Sequence, residues 1–379
     1  FDLILGSLER LGVGPLMLQW TKSFLNGCSL SVKIDDSLST SWQPDIGAGQ
    51  GRCCSPDFYN VASLTAVFWC ILLSHFVGFA DDTIDVIAGS TVEEWEIRAK
   101  SVLEARKQWF DSAGLSLNLS KTELMGIGFS PQPLSIEGVL INPSTSMKFL
   151  GVILQADLKW DRTIESLCNR IRFAASRIRN EGRFFDQWDR RKLFSGWIMG
   201  PIYSNAIAYL PLINASQQQA LQVAINAGVR AVANIPPYGY ANLTTIREKL
   251  GLPNIYQITE KVILTAAWKQ KSQFLQENKQ LEGPSTRARA KGNIPQPMQK
   301  GALANMVSTT IACGWNRLPY HIKNEDDFYK AKEAIKKHVF SHVSPWNYYF
   351  VTFPLTAPLN PHPTLYSSQD LLLVDLRFD

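Results

Sequence analysis

Two adjacent carboxylates, Asp81 and Asp82, stand in the segment GFADDTIDVIAG, with β-branched and aromatic residues on both sides. Those flanks predict two strands, which places the pair in the turn of a hairpin. Like charges held together at a turn repel each other unless a cation joins them, and hard oxygen ligands suit magnesium. Two such ions can activate an attacking oxygen and neutralise a leaving one, the chemistry of phosphoryl and nucleotidyl transfer. Taken alone, an ADD triplet is more often a solvated turn, because Asp is a common turn residue.

The elements that must hold this turn can be read from periodicity. Before it, SLSVKIDDSLSTSWQPDIGAGQG alternates around Asp35 and Asp36 and predicts a hairpin ending in a glycine-rich turn. Ser55 and Pro56 start a helix. After the turn, Thr91 can cap a helix whose apolar stripe is Val92, Trp95, Ala99, Val102, Leu103, Trp109, Phe110 and Ala113. Gly114 ends it, and GLSLNLSKTELMGIGF, LSIEGVLI and MKFLGVIL return to strand-like alternation. Strands and a helix in this order predict an α+β layer.

From residue 161 the pattern is helical. Ile164, Leu167, Cys168, Ile171, Ala175 and Ile178 share one face, while Arg162, Arg170, Arg172, Arg177, Arg179, Arg190 and Arg191 lie off it. Arginines placed this way suit phosphate contacts, although an ordinary solvated helix face has the same composition. Residues 277–301 are a basic, Pro- and Gly-rich linker, 302–343 a small helical unit, and 344–379 a proline-punctuated tail expected to be poorly ordered.

The chain has 379 residues, 45% of them apolar, and a formal net charge of +5. That is enough to bury a sizeable core, and the mild basic excess suits a polyanion partner. The six cysteines form no CxxC pair, so a zinc centre is not expected and the thiols read as reduced. No secretory signal pattern opens the chain. Residues 61–79 carry no formal charge apart from the titratable His75, and on length alone could form a membrane helix. Asp81 and Asp82, next to that run without a compensating basic cluster, weigh against this reading.

Several of these segments resemble, in order, the motifs of reverse transcriptases of non-LTR, jockey-like retrotransposons. FADD at 79–82 resembles their [YF]xDD, and GAGQGRCCSPDFYN at 47–60 resembles GxPQGxxxSPxxFN. GLSLNLSKTELM resembles motif D and MKFLGVILQADLKW the start of motif E. RRKLFSGWIMGPIYSNAIAYL and GWNRLP resemble thumb and C-terminal segments. The sequence departs from the pattern at Gly49, usually Pro, at Arg52, Cys53 and Cys54, and at Asp57, usually apolar.

The resemblance implies a right-hand polymerase palm, an antiparallel sheet backed by helices, over residues 1–160. A helical thumb over 161–276 and a C-terminal helical unit follow. It implies RNA-directed DNA synthesis from dNTPs with two magnesium ions, Asp81 and Asp82 as metal ligands, and Lys121 near the triphosphate. Gln50, Gly51, Phe79 and Ala80 line the substrate side, with Phe1 closing on the sugar. RNA template and DNA primer or target are the implied partners, and nucleus and cytoplasm the implied location. In the family the first catalytic Asp lies in a DxxxAFD segment, which places it upstream of Phe1, so the chain by itself is expected to lack useful polymerase activity. The alternatives are a catalytically dead nucleic-acid-binding remnant and, less favoured, a protein anchored in a membrane by residues 61–79.

Overall fold

The computed structural model describes residues 1–26, 28–43, 53–69, 74–80, 82–280, 286, 290–295, 307–342 and 370–376. The chain divides into two compact units, residues 1–150, 154–158 and 362–379 in the first, 151–153 and 159–361 in the second.

The first unit opens with helices α1 (Asp2–Arg10) and α2 (Pro15–Asn26) and a small hairpin, β1 (Lys33–Ile34) with β2 (Ser37–Leu38). Asp35 takes a positive φ of 53° in its turn, a conformation that Asp tolerates better than most residues. Helix α3 (Ser55–Trp69) and strand β3 (His75–Phe79) follow as separate elements. The apolar run at 61–79 is therefore not one helix, and no helix among the described residues is long and apolar enough to cross a membrane. The membrane-anchor reading of this run is thereby corrected: the apolar residues serve two elements of different period.

The central sheet has four antiparallel strands in the order β3, β4 (Asp82–Gly89), β10 (Asp370–Leu376), β5 (Glu123–Ile127). Helix α4 (Val92–Ser112) joins β4 to β5. It begins as its sequence dictates: Thr91 Oγ1 accepts from Glu94 N at 3.2 Å, and Glu94 accepts from Ser90 N at 2.8 Å. The anticipated stripe is buried from Trp95 to Phe110, and Arg106 is buried within it. Gly89 is needed at the junction, because a Cβ there would lie 2.6 Å from Trp95 Cβ. Alternation along the strands sends Ile87 and Leu124 into the α4 core and Ile84 and Met125 to the opposite face. That opposite face is covered in part by Met147, Phe149 and Leu154 from β8 (Ser146–Phe149) and β9 (Val152–Gln155). Before them, β6 (Leu134–Ile136) and β7 (Val139–Ile141) form a short hairpin.

Strand β10 departs from the expectation of a poorly ordered tail. It pairs with β4 from Asp370↔Gly89 to Leu376↔Thr83, and with β5 from Leu371↔Ile127 to Asp375↔Glu123. The physical reason is visible afterwards: DLLLVDL is a short apolar run of the kind central strands require. Without it β4 and β5 would present unpaired edges over buried Ile84, Ile87, Leu124 and Met125.

The second unit is helical. α5 (Asp161–Glu181) packs against α9 (Ala215–Val232), and every residue of the anticipated α5 stripe is buried in their shared core. Between them lie a 3-10 turn at Gly182–Phe184, α6 (Gln187–Phe194), a π-helical stretch at Ser195–Met199, α7 (Gly200–Tyr203) and α8 (Ala206–Tyr209). Asn214 with Gln217, and Asn254 with Gln257, form capping boxes that start α9 and α11 (Ile255–Lys269), with α10 (Leu243–Leu250) between. Among the described residues, helices α12 (Lys271–Gln280), α13 (Val307–Arg317), α14 (Tyr320–Lys323) and α15 (Phe328–His342) follow.

Residues 302–343 were expected as a separate helical piece, yet Trp315, Ile322, Ile335 and Val339 share a core with Leu264 and Ala267 of α11 and Phe274 of α12. Helix α11 buries more than one face, which a single-stripe reading does not show. Of the expected linker, 277–280 form the end of α12, and 290–295 are also fixed. Trp315 Nε1 donates to Gly292 O at 2.8 Å, Asn316 exchanges two hydrogen bonds with Ile294, and Lys323 Nζ donates to Asn293 Oδ1.

Lys323 is buried against the Trp315 ring, 5.1 Å from its centroid. Burial pushes its ammonium down from the ordinary 10.5 to about 8. Between these values the unfolded chain holds a proton that the folded chain does not, so this residue makes stability rise with pH across that window. Relative to Lys323→Met, the parent chain should gain up to about 3 kcal/mol between the two pH values, at about 1.4 kcal/mol per pKa unit. Denaturant unfolding curves measure this, and a pH-independent difference would contradict the burial.

Candidate active site

The Asp-bearing hairpin is formed by β3 and β4. The register pairs Phe79 with Asp82, leaving a two-residue loop that starts at Ala80. Asp82 is thus the first residue of β4, and Asp81 lies outside the described residues, as do Gln50 and Gly51. Ala80 has φ of 52°, the left-handed conformation that primed hairpin turns demand and that costs an L-residue roughly 1–2 kcal/mol. Strain at such a position persists only where its surroundings fix it.

A buried ion pair lies three ladder positions along the hairpin from the turn. Asp85 of β4 receives Arg106 Nε at 3.0 Å on one carboxylate oxygen and Arg106 Nη2 at 2.9 Å on the other. Ser74 Oγ donates to the same carboxylate at 2.7 Å, and the guanidinium lies 4.3 Å from the centroid of Phe76. The side chains of Arg106 and Asp85 are 0% and 1% exposed. A bidentate pair with a ring over the cation and a hydroxyl on the anion satisfies the geometry that a desolvated pair requires. It ties α4 to both strands of the hairpin three residues from Asp82. Sequence reasoning missed it, although a signal existed: Arg106 falls at a core position of the α4 stripe, and Asp85 shares the inward parity of Ile87.

Parity places Asp82 on the other face of the sheet, with Ile84 and Val86. Its cross-strand neighbours there, Val77 and Phe79, are exposed, so an apolar surface open to solvent adjoins the carboxylate. Lys121 sits in the turn before β5, its backbone N donating to Asn118 O at 3.1 Å. Because β10 aligns Ile84 and Glu123 on either side of Asp375, the Ala80 turn and the Lys121 turn emerge at the same end of the sheet. Ile84 and Glu123 are then about 10 Å apart, two strand spacings. Phe1 is the N-cap residue of α1 and packs against the cluster of Ile4, Leu25 and Phe58. Among the described residues no group of three His, Cys, Asp or Glu side chains could hold a metal ion.

The arginines named from the sequence belong to the second unit. Arg162, Arg170, Arg172 and Arg177 are exposed on α5, whereas Arg179, Arg190 and Arg191 are half-buried. Arg177 pairs with Glu181 at 2.8 Å and its guanidinium lies over the Trp197 ring. The Arg190 stem crosses Gly182, where a Cβ would meet its Cγ at 3.2 Å.

Substituting Asp85→Asn should destabilise the first unit by about 3–5 kcal/mol, because the Arg106 charge is left buried and uncompensated. Replacing both, Asp85→Leu with Arg106→Met, should recover most of that loss. Chemical denaturation of the three proteins decides it, and a single-variant cost below about 1 kcal/mol would place the pair in a wetter setting than the one described.

No protein-family model matches the chain, and no solved structure matches it. Over 170 residues, 42% of its length, it is 26% identical to the RNA-directed DNA polymerase from mobile element jockey of Drosophila funebris. The chain covers 18% of that protein. For part of its length, this similarity supports a relationship to the reverse transcriptases of non-LTR retrotransposons.

Proposed function

We propose that the chain is part of an RNA-directed DNA polymerase of a non-LTR retrotransposon, in which the first unit is the palm and the α5–α6 region belongs to a thumb. The observation that carries the reading is the similarity to the jockey polymerase, together with a tight β3–β4 hairpin that presents Phe79, Ala80 and Asp82 at its turn. In this reading Asp82 and the adjacent Asp81 hold magnesium, which supplies charge neutralisation at the reacting phosphates. Magnesium keeps several waters and takes one or two protein carboxylates plus substrate phosphates, so an acidic turn beside an open surface suits it without a closed protein cage. The exposed Phe79 gives the sugar or base of a dNTP an apolar wall, and Lys121 supplies positive charge from the same end of the sheet. RNA template and DNA primer are the partners, and the nucleus and cytoplasm the location.

The test is primer extension on an RNA template with magnesium and dNTPs. A chain extended upstream so that Phe1 and Asp2 complete a DxxxAFD segment should extend the primer. Asp81→Ala should lower its rate by roughly a thousandfold, the usual cost of losing positioned charge at such a centre. Extension that survives substitution of both Asp81 and Asp82 would remove this hairpin from the chemistry.

A further inference from the structure

Between residues 161 and 192 the α5–α6 region carries nine basic and five acidic side chains, an excess of four in a chain whose total is +5. The same stretch leaves rings in solvent: Phe173 is 68% exposed, Phe184 77%, Phe185 47% and Trp188 60%. Cations attend two of these rings. Arg183 lies 4.6 Å from the Phe184 centroid, and Arg191 and Lys192 lie 5.6 and 5.7 Å from that of Trp188. On α5, Arg170, Phe173 and Arg177 recur at three- and four-residue intervals and so share one exposed face. Arg177 also reaches Trp197, 4.5 Å from its ring centroid, which joins that face to the helical stretch after α6.

We infer that this surface binds an unpaired polynucleotide strand, with bases stacking on Phe184 and Trp188 while the exposed arginines of α5 and of the turn after it hold phosphates. The inference rests on the proposed polymerase reading and deepens it by naming the strand state. A duplex offers only base edges in its grooves and phosphates outside, leaving protruding rings nothing to stack on. Unpaired bases expose both faces, and ring-and-cation surfaces are what sequence-tolerant single-strand binders use. A protein partner fits less well, because it would have to bury an excess of four like charges that a polynucleotide backbone answers with its own phosphates. The ion pairs already present, Arg177 with Glu181 and Lys192 with Asp189, are solvent-exposed, and exposed pairs give way to phosphate at little cost.

The experiment measures binding of the whole chain, by fluorescence anisotropy, to labelled oligo(U), oligo(dT) and a DNA duplex, and by sedimentation to phosphatidylserine vesicles. Either single strand should bind more tightly than the duplex. Trp188→Ala and Phe184→Ala should each weaken strand binding about tenfold and leave its salt dependence unchanged, with Trp188→Phe restoring most of the affinity. Arg170→Glu with Arg177→Glu should weaken binding to every nucleic acid and flatten the salt dependence. Because all four side chains are exposed, thermal melts matching the parent's will hold folding constant. If charge reversal weakens binding but the aromatic variants bind as the parent does, phosphate contact stands and stacking falls. Failure to bind any nucleic acid overturns the polymerase reading of this unit along with the inference, and vesicle binding stronger than strand binding overturns the inference in favour of a lipid surface.

Discussion

The buried pair of Arg106 and Asp85 is the constraint on which the candidate site depends. Its guanidinium comes from a helix and its carboxylate from a strand, so neither charge is tolerable unless α4 and β4 meet in one register. An error of one residue in β4 would turn Asp85 to the opposite face and bring Ile84 or Val86 towards the helix. The same register fixes Asp82 three residues on, and with it the two-residue loop in which Ala80 adopts its strained conformation. Apolar burial could hold α4 on the sheet with several small offsets. The ion pair selects among them, which is the best-attested use of a buried charge.

The sheet has a second dependence, of longer range. Strands β3, β4 and β5 are near neighbours in sequence, yet the strand that joins β4 to β5 comes from residues 370–376. This makes the alignment of the Ala80 turn with the Lys121 turn a property of the distant strand as much as of the hairpin. Closing so long a loop costs entropy before any ladder bond forms, so this strand is placed to join the sheet late in folding.

Local rules were enough for much of the fold. Thr91 announces its helix by capping, the α5 stripe is buried residue for residue, and the strands around the Asp pair follow from β-branched alternation. What escaped sequence reasoning shares one physical property: each feature is decided by a partner remote in sequence. Asp85 reads as a solvated strand residue until Arg106 is seen beside it. DLLLVDL reads as part of a poorly ordered tail until the gap between β4 and β5 is known. Residues 290–295 read as a linker because their hydrogen bonds go to Trp315, Asn316 and Lys323. Of the candidate site, the hairpin and its end of the sheet were legible from residue types, whereas Asp81, Gln50 and Gly51 lie outside the described residues.

Helix α5 shows how one sequence pattern can serve stability and recognition together. Its buried stripe, from Ile164 to Ile178, faces α9 and is closed off at the start by Gln217, which donates to Asp161 at 2.6 Å. A stripe of that width leaves well over half of the helix circumference free of packing duty. On that free surface stand Arg162, Arg170, Arg172, Phe173 and Arg177, and arginine has a helix propensity close to that of leucine, so the helix loses no intrinsic stability by carrying charge there. Substitutions at Arg170 or Phe173 therefore act on an energy separate from the one that folds the unit, whereas Arg177 also holds Glu181 and the Trp197 ring. The arginines that are half-buried differ. The Arg190 stem lies across Gly182 and braces the turn that leads from α5 to α6, while the Arg191 guanidinium reaches the end of α10, 3.0 Å from where a Gly251 side chain would begin. Recognition and scaffold thus divide between arginines that the sequence alone presents as one group.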